Sequence, residues 1–482
     1  MRKIRIYFSI ILILFFVCPN EVRAVDSFPS VSVLSSENIS TYQSGNTLNI
    51  YLNTFRPKIQ IFFKVILNNT ETASVTAPNT NLTIPPQGAY QFSINAATTL
   101  DQENVGKPIR TYKLHSSSDS IINVYPTPDN FPKVSFAGNT SLVKSREILS
   151  TPVVDNGTYA IASVGTKIRY FIYSPNNLIG FRKIDDTVAQ GTPGGTPVYA
   201  YLEQKDFGVT ATSPGSWMLL DANFNKVSRI NQVKTKFGTF YPEGHGMTTS
   251  PRGNAVVIAT VTRNVDSSWL QRQYKLPILD CDIAEVVDGK AIHEFSFWDW
   301  AVAHKSTYQP LFDAMPLFND PQNPTSSPID ICHANSMEFN KSLGQYLISI
   351  RSPSSIILLD KDLKGVTTLL TSTNALQHFA RFWSKTEITA LGNYTFDKSS
   401  RFQDYKFVNG QWKLSEYEFP VHVAYCGNTN FLDKTHVWLG GGCGPFKPDV
   451  LGAVYQLSNG ALNEIGSVKM QNFNYTYRAD LL

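Results

Sequence analysis

HANSMEFNKSLGQYLISIRS, residues His333 to Ser352, opens on polar, reactive side chains, runs through a short strand, turns, and returns as a second strand. The same order of events recurs three times, in HGMTTSPRGNAVVIAT from His245, HFARFWSKTEITALGN from His378 and CGNTNFLDKTHVWLGG from Cys426. The turns use residues suited to them, such as Pro251-Arg252-Gly253-Asn254 and Asp433-Lys434. The starting points lie 88, 45 and 48 positions apart, and repeats of about 40–50 residues built from short strands are the pattern of β-propeller blades. A second repeated unit, WMLLDANFNKVSRI and SIILLDKDLKGVTTLL, reads strand, Asp221 or Asp360 turn, strand, as the outer part of a blade would. The interval of 88 contains FSFWDWAVAHKSTYQPLFDAMPLF, whose spacing of apolar residues is helical, so one blade carrying an inserted helical excursion is expected there.

Working outward, the amino terminus places Arg2, Lys3 and Arg5 before an apolar run from Ile6 to Val17, with Val22 and Ala24 as the small residues of a cleavage site. This is the layout of a secretory signal peptide, residues 1–24, which implies a periplasmic or secreted protein. The apolar run is too short for the roughly 20 residues needed to span a bilayer, so stable membrane insertion is not expected. Cleavage would take the formal charge from +4 to +1, and no block of Lys or Arg suggests nucleic-acid binding.

Only 17% of residues are charged, while prolines (27), glycines (29) and β-formers point to short strands and tight turns, an all-β protein. Its length exceeds one ordinary core. The proline-interrupted stretch YPTPDNFPK, residues 125–133, marks a boundary. Before it, SVSVL, TLNIYLN, KIQIFFKVIL, TNLTI and AYQFSINA read as the strands of a β-sandwich over residues 25–130, and residues 131–482 form the propeller.

In a propeller the innermost strands all begin near one mouth of the central channel. Equal register therefore brings His245, His333, His378 and Cys426 together. A single histidine in a β protein is usually a structural group, and His115, His293, His304, His422 and His436 share no register and are assigned to that class. Phe379, Phe382 and Trp383 read as blade packing, and TPGGTP, residues 192–197, as a turn. Cysteines 281, 332, 426 and 443 remain after cleavage, and Cys426 and Cys443 could pair across the ends of a hairpin. Neither CxxC nor HExxH occurs, so no zinc signature is present and no metal or other cofactor is expected.

With these residues in hand, the chain resembles the bacterial arylsulfate sulfotransferases, exported enzymes that move a sulfuryl group between phenols without a nucleotide donor. DICHANS resembles the family's Asp-x-x-His-x-Asn-Ser segment, and Ile350-Arg351 stands where the family's strand-ending arginine falls. LQHFARF resembles the Gln-His segment that holds the nucleophile, and NYTYRADLL resembles the Tyr-Arg-Ala close of the last blade. The family's Phe-Asp-Asn-Gly segment after the nucleophile is reduced here to ALGN, Ala390 to Asn393. The resemblance implies six blades, a homodimer, a phenolic sulfate donor and a phenol acceptor. It also implies that His378 is the residue that becomes sulfated, with His333, Asn335, Arg351 and His245 around the sulfuryl oxygens. The chemistry is consistent with those residue types: a neutral imidazole is a competent nucleophile, and Arg and Asn donate to developing negative charge. Two other classes stand beside this reading: a non-catalytic propeller that binds a glycan or protein, and a metal-dependent lactonase or phosphatase-like propeller with the histidines as ligands.

Overall fold

A computed structural model describes the chain from residue 132 to residue 482, apart from short stretches, the longest of which are 185–196, 205–214, 270–276 and 314–327. Before residue 132 it describes backbone strands alone. The leader pattern, the side chain of His115 and most of TPGGTP lie outside the described residues. The amino-terminal strands form two sheets, one of four strands and one of five, and the last of them, Ser120–Pro126, ends inside YPTPDNFPK.

From Lys133 onward the chain is a six-bladed β-propeller. Blade 2 consists of Leu178–Lys183, Tyr199–Gln204, Gly215–Leu220 and Lys226–Ile230, from the channel outward. Blade 4 (Ala334–Asn340, Gln345–Ile350, Ser355–Asp360, Val366–Thr371) and blade 5 (His378–Ser384, Glu387–Gly392, Arg401–Val408, Gln411–Glu418) repeat that four-stranded meander. Blade 3 starts with Met247–Thr249 and continues through Ala255–Asn264, Pro277–Val287 and Lys290–Ser296. It then departs into helices Phe297–Ala303 and Lys305–Asp313, the excursion expected within the long interval. Ser296 caps the first helix by accepting from the Asp299 amide. Trp298, Tyr308 and Phe312 bury against Ile331, Tyr346 and Ile348, so the helices complete the core between blades 3 and 4.

The ring closes at both edges. Tyr475–Leu481 pairs with Glu147–Val154 and serves as the innermost strand of blade 1, followed by Gly157–Val164 and Lys167–Ser174. Blade 6, Asn428–Phe431 through Ala461–Gln471, takes Lys133–Gly138 as a fifth, outermost strand. The middle of Ser355–Asp360 and the first half of Ala255–Asn264 are apolar and buried because neighbouring blades cover both of their faces. Gly441 shows how closely the closing strand is seated. Its φ is +65°, and a Cβ there would lie 2.5 Å from the Cα of Arg478.

Candidate functional site

The three histidines of equal register stand at the starts of the innermost strands of blades 3, 4 and 5 and meet at one mouth of the channel. The His245 and His333 rings lie 4.8 Å apart, edge to face, and Tyr477 of the closing strand packs 5.6 Å from His245. His378 is close enough to His333, Arg351 and Arg478 for their charges to act on it.

Each ring has its Nδ1 engaged by an oxygen. For His245 the partner is Glu243 Oε2 at 3.0 Å, an oxygen that also accepts from Thr260 at 3.1 Å. His333 Nδ1 donates to Asp330 Oδ2 at 2.5 Å. Two features put Asp330 there: Ile329–Asp330 pairs parallel to Ile278–Leu279, and a disulfide to Cys281 ties Cys332, two residues on, to the same strand. His333 then reverses direction with φ +46°. His378 Nδ1 donates to Asn393 Oδ1 at 2.5 Å and to the Leu376 carbonyl at 3.1 Å. The Asn393 amide cannot face the other way, because its Nδ2 donates to the carbonyls of Val423, at 2.6 Å, and Cys426, at 3.1 Å. Both partners of His378 Nδ1 are therefore acceptors, which puts the ring proton on Nδ1 and a lone pair on Nε2.

Burial pushes the His378 pKa well below the usual 6.5, and the charges of Arg351, His333 and Arg478 push it the same way, against the weaker opposite pull of Asn393. His245 is lowered too, by burial first and then by His333 and Arg478. Burial raises the Glu243 carboxyl well above its ordinary range, so this buried pair favours its neutral forms. Asp330 goes the other way: burial would raise it, but His333 and Arg351 outweigh that and hold it ionised. The mouth thus contains a neutral, oriented imidazole in His378, the hydrogen-bonded pair Asp330–His333, and the guanidinium groups of Arg351 and Arg478.

Arg351 lies on the turn after its strand, its amide donating to the His333 carbonyl at 3.1 Å. Arg478 is 4% exposed and lies over the rings of Phe379, at 4.9 Å, and Tyr477, at 4.5 Å. Its Nη2 donates to the His245 carbonyl at 3.1 Å and to the Asn335 carbonyl, whereas its Nε and Nη1 have no partner among the described residues.

Asn335 differs from expectation. It is fully buried, with Nδ2 donating to the Gln377 carbonyl at 2.6 Å and Oδ1 accepting from the Phe379 amide at 3.3 Å. Its side chain clamps blade 4 to the backbone on either side of His378, so it positions the His378 strand, and both ends of its amide are taken up by that backbone. Cys426 does reach the same mouth, packed against Ile179 and Tyr477 and paired with Cys443. Phe379 is buried, as the packing reading expected, and in addition Arg381 and Arg478 lie over its ring. His304 and His436 bond locally, to Trp300 and Asp433, away from the cluster.

Sequence reasoning missed Glu243, the role of Asp330, Asn393 and Arg478. Signals for the first two were present in EGH and in Asp-x-x-His, spacings that allow a carboxylate to reach its histidine. Among the described residues no group of three or more His, Cys, Asp or Glu side chains is arranged to hold a metal ion. Nor is any helix there long and apolar enough to cross a membrane.

No family model matches the chain, and no curated protein matches it. Solved structures resemble the chain at low similarity. A Bacteroides caccae protein of unknown function is 9% identical, with a TM-score of 0.40 over 70% of this chain and 99% of its own. The periplasmic gluconolactonase PpgL of Pseudomonas aeruginosa is 8% identical, with a TM-score of 0.39 over 66% of this chain and 81% of its own. The β-propeller domain of Cps50 (Swd1) from Myceliophteria thermophila is 7% identical, with a TM-score of 0.36 over 67% and 86%.

Proposed function

We propose that the chain is an aryl-sulfate sulfotransferase that works through a sulfated histidine. The observation that carries this reading is the state of His378: a buried neutral imidazole, its Nδ1–H held by Asn393 and Leu376, its Nε2 lone pair without a partner among the described residues, in a setting of arginines. In the first half-reaction Nε2 attacks sulfur, the S–O bond to the aryl group breaks, and the phenolate leaves with a proton from His333. The N-sulfated ring bears a positive charge, which the two oxygen acceptors on Nδ1 stabilise. In the second half-reaction His333, steadied by Asp330, takes the proton of an incoming phenol, whose oxygen attacks sulfur and frees Nε2. Arg351 and Arg478 supply charge to the equatorial oxygens, as transfer of a sulfuryl group requires by analogy with phosphoryl transfer. The donor is a phenolic sulfate ester and the acceptor a phenol. The leader pattern is in keeping with this chemistry running outside the cytoplasm, where nucleotide donors are scarce.

The test is to mix the protein with 4-nitrophenyl sulfate and no acceptor. A stoichiometric burst of nitrophenol and a sulfuryl mass on His378 are expected. His378→Asn should abolish both, and Arg351→Leu should slow the burst by on the order of 10²-fold or more. If several aryl sulfates give neither phenol nor adduct, the propeller is a binding module; an adduct on another residue would refute His378 as nucleophile.

A further inference from the structure

A cavity of about 420 Å³ opens among the inner strands of blades 2 to 5, away from the histidine mouth. Its lining comes from the far ends of those strands, Arg182 to Ile184, Met337 to Ser342 and Arg381 to Lys385, together with Met247 to Thr249 of the short strand of blade 3. Arg381 is three residues along from His378, which at the rise of an extended strand is about 10 Å. The volume is within the usual range for small-molecule sites.

The charge is one-sided. Arg182, Lys183, Lys341, Arg381 and Lys385 line the cavity against a single acid, Glu338. Glu338 accepts from the Phe382 amide at 2.9 Å and lies 3.9 Å from Arg381, which also faces Asp480 at 3.8 Å. The available acids are thus turned to Arg381. Lys183 and Lys385 make no ion pair among the described residues. Arg182 is 1% exposed, donates from Nη2 to the His245 carbonyl at 2.9 Å, and has an Nε without a partner among the described residues. Asp480 offsets part of the charge of the buried Arg182, while half-buried Lys183 and exposed Lys385 keep their charges for an anion in the cavity.

The same walls carry flat apolar surface. Trp383, 36% exposed, and Phe382 lie on the blade 5 side, with Phe339 on the blade 4 side. Thr248, Asn340 and Ser384 add neutral hydrogen-bonding groups.

We propose that this cavity is a second ligand site, for a ring compound bearing a sulfate, sulfonate or carboxylate. The ring stacks on Trp383 while Lys183 and Lys385 hold the anionic group, with Arg182 beneath. An aromatic acid and an acidic sugar share that chemistry. The site is independent of the histidine mouth and of the transfer reaction proposed there.

Binding of naphthalene-2-sulfonate, whose carbon–sulfur bond cannot donate a sulfuryl group, tests it by quenching of tryptophan fluorescence; glucosamine 6-sulfate is the sugar arm, followed by calorimetry. Expected are quenching that disappears in Trp383→Phe, affinity about tenfold weaker in Lys183→Ser/Lys385→Ser, and unchanged affinity in His378→Asn. Neutral 2-naphthol should bind more weakly than the sulfonate. The Lys183→Ser/Lys385→Ser protein should keep the nitrophenol burst of wild type, whether that burst is large or absent. Binding of one probe alone assigns the source as aromatic or sugar, and binding of both leaves the common chemistry as the criterion. Failure of both probes to bind, affinity indifferent to the lysine pair, or loss of binding in His378→Asn would overturn the proposal.

Discussion

At the scale of single residues, the site depends on which nitrogen of each histidine is held. Three rings share one mouth, and all three have Nδ1 taken by oxygen, so it is Nε2 that remains for chemistry. The His378 pKa is lowered in the folded protein, mainly by burial, and this has consequences for stability. An unfolded chain takes up a proton at its ordinary pKa near 6.5, while the folded chain resists until lower pH. The contribution of His378 is therefore absent above about pH 6.5 and destabilising as pH falls below it. Urea unfolding of wild type and His378→Asn at pH 7.5 and 5.5 should show the larger acid loss in wild type; an equal loss would mean that the ring is not held neutral. Asn393→Asp should raise the His378 pKa by placing a carboxylate on Nδ1, and should cost about 1–3 kcal/mol by opposing the carbonyls of Val423 and Cys426. The burst should then be lost at higher pH than in wild type. The register of His245, His333 and His378 was legible because repetition along the chain becomes convergence in a ring. Their partners were not: His378 and Asn393 stand at the two ends of one hairpin, but the repeat does not say which side chain at its far end turns to the ring.

At the scale of elements, the strand that begins at Ala334 is held from behind. Cys332 joins Cys281 across a sequence separation of 51 and a Cα separation of 5.9 Å. Closing a loop of that size in the unfolded chain corresponds to about 4 kcal/mol by the chain-entropy estimate. Cys281→Ala/Cys332→Ala should lose stability of that order in urea, and should also loosen the Asp330–His333 pair, seen as a slower burst with donors whose phenols are weak acids. Loss of stability with the burst unchanged across donors would make the bridge purely structural. An even cysteine count permits this bridge but does not reveal it, since four cysteines allow three pairings. The helical excursion, by contrast, was readable from spacing alone, because FWDWAVA cannot alternate as a strand does.

At the scale of the whole molecule, closure and site are one construction. The strand Tyr475–Leu481 completes blade 1, and it carries Arg478 and Tyr477 to the histidines. Gly441→Ala tests that seating. The added methyl meets the Arg478 backbone at a position where φ is already +65°, so a loss of more than about 1 kcal/mol is expected. The burst should weaken along with it; full activity in a destabilised variant would show that the seating of Arg478 does not matter. That the chain forms a ring of blades was legible from the repeat. That Lys133–Gly138 would join blade 6 as its outer strand was not, because a short strand beside a domain boundary bears no mark of the sheet it will enter.

The order of these parts along the chain has a consequence for synthesis. A polypeptide that has emerged only as far as residue 470 already contains His245, His333, His378 and both members of each disulfide, yet it lacks the arginine that lies over Phe379. All three histidines are made before the strand that completes their surroundings. The unfinished chain therefore holds its rings without Arg478 and Tyr477 beside them, and the mouth takes its final form only when Tyr475–Leu481 threads into the first blade.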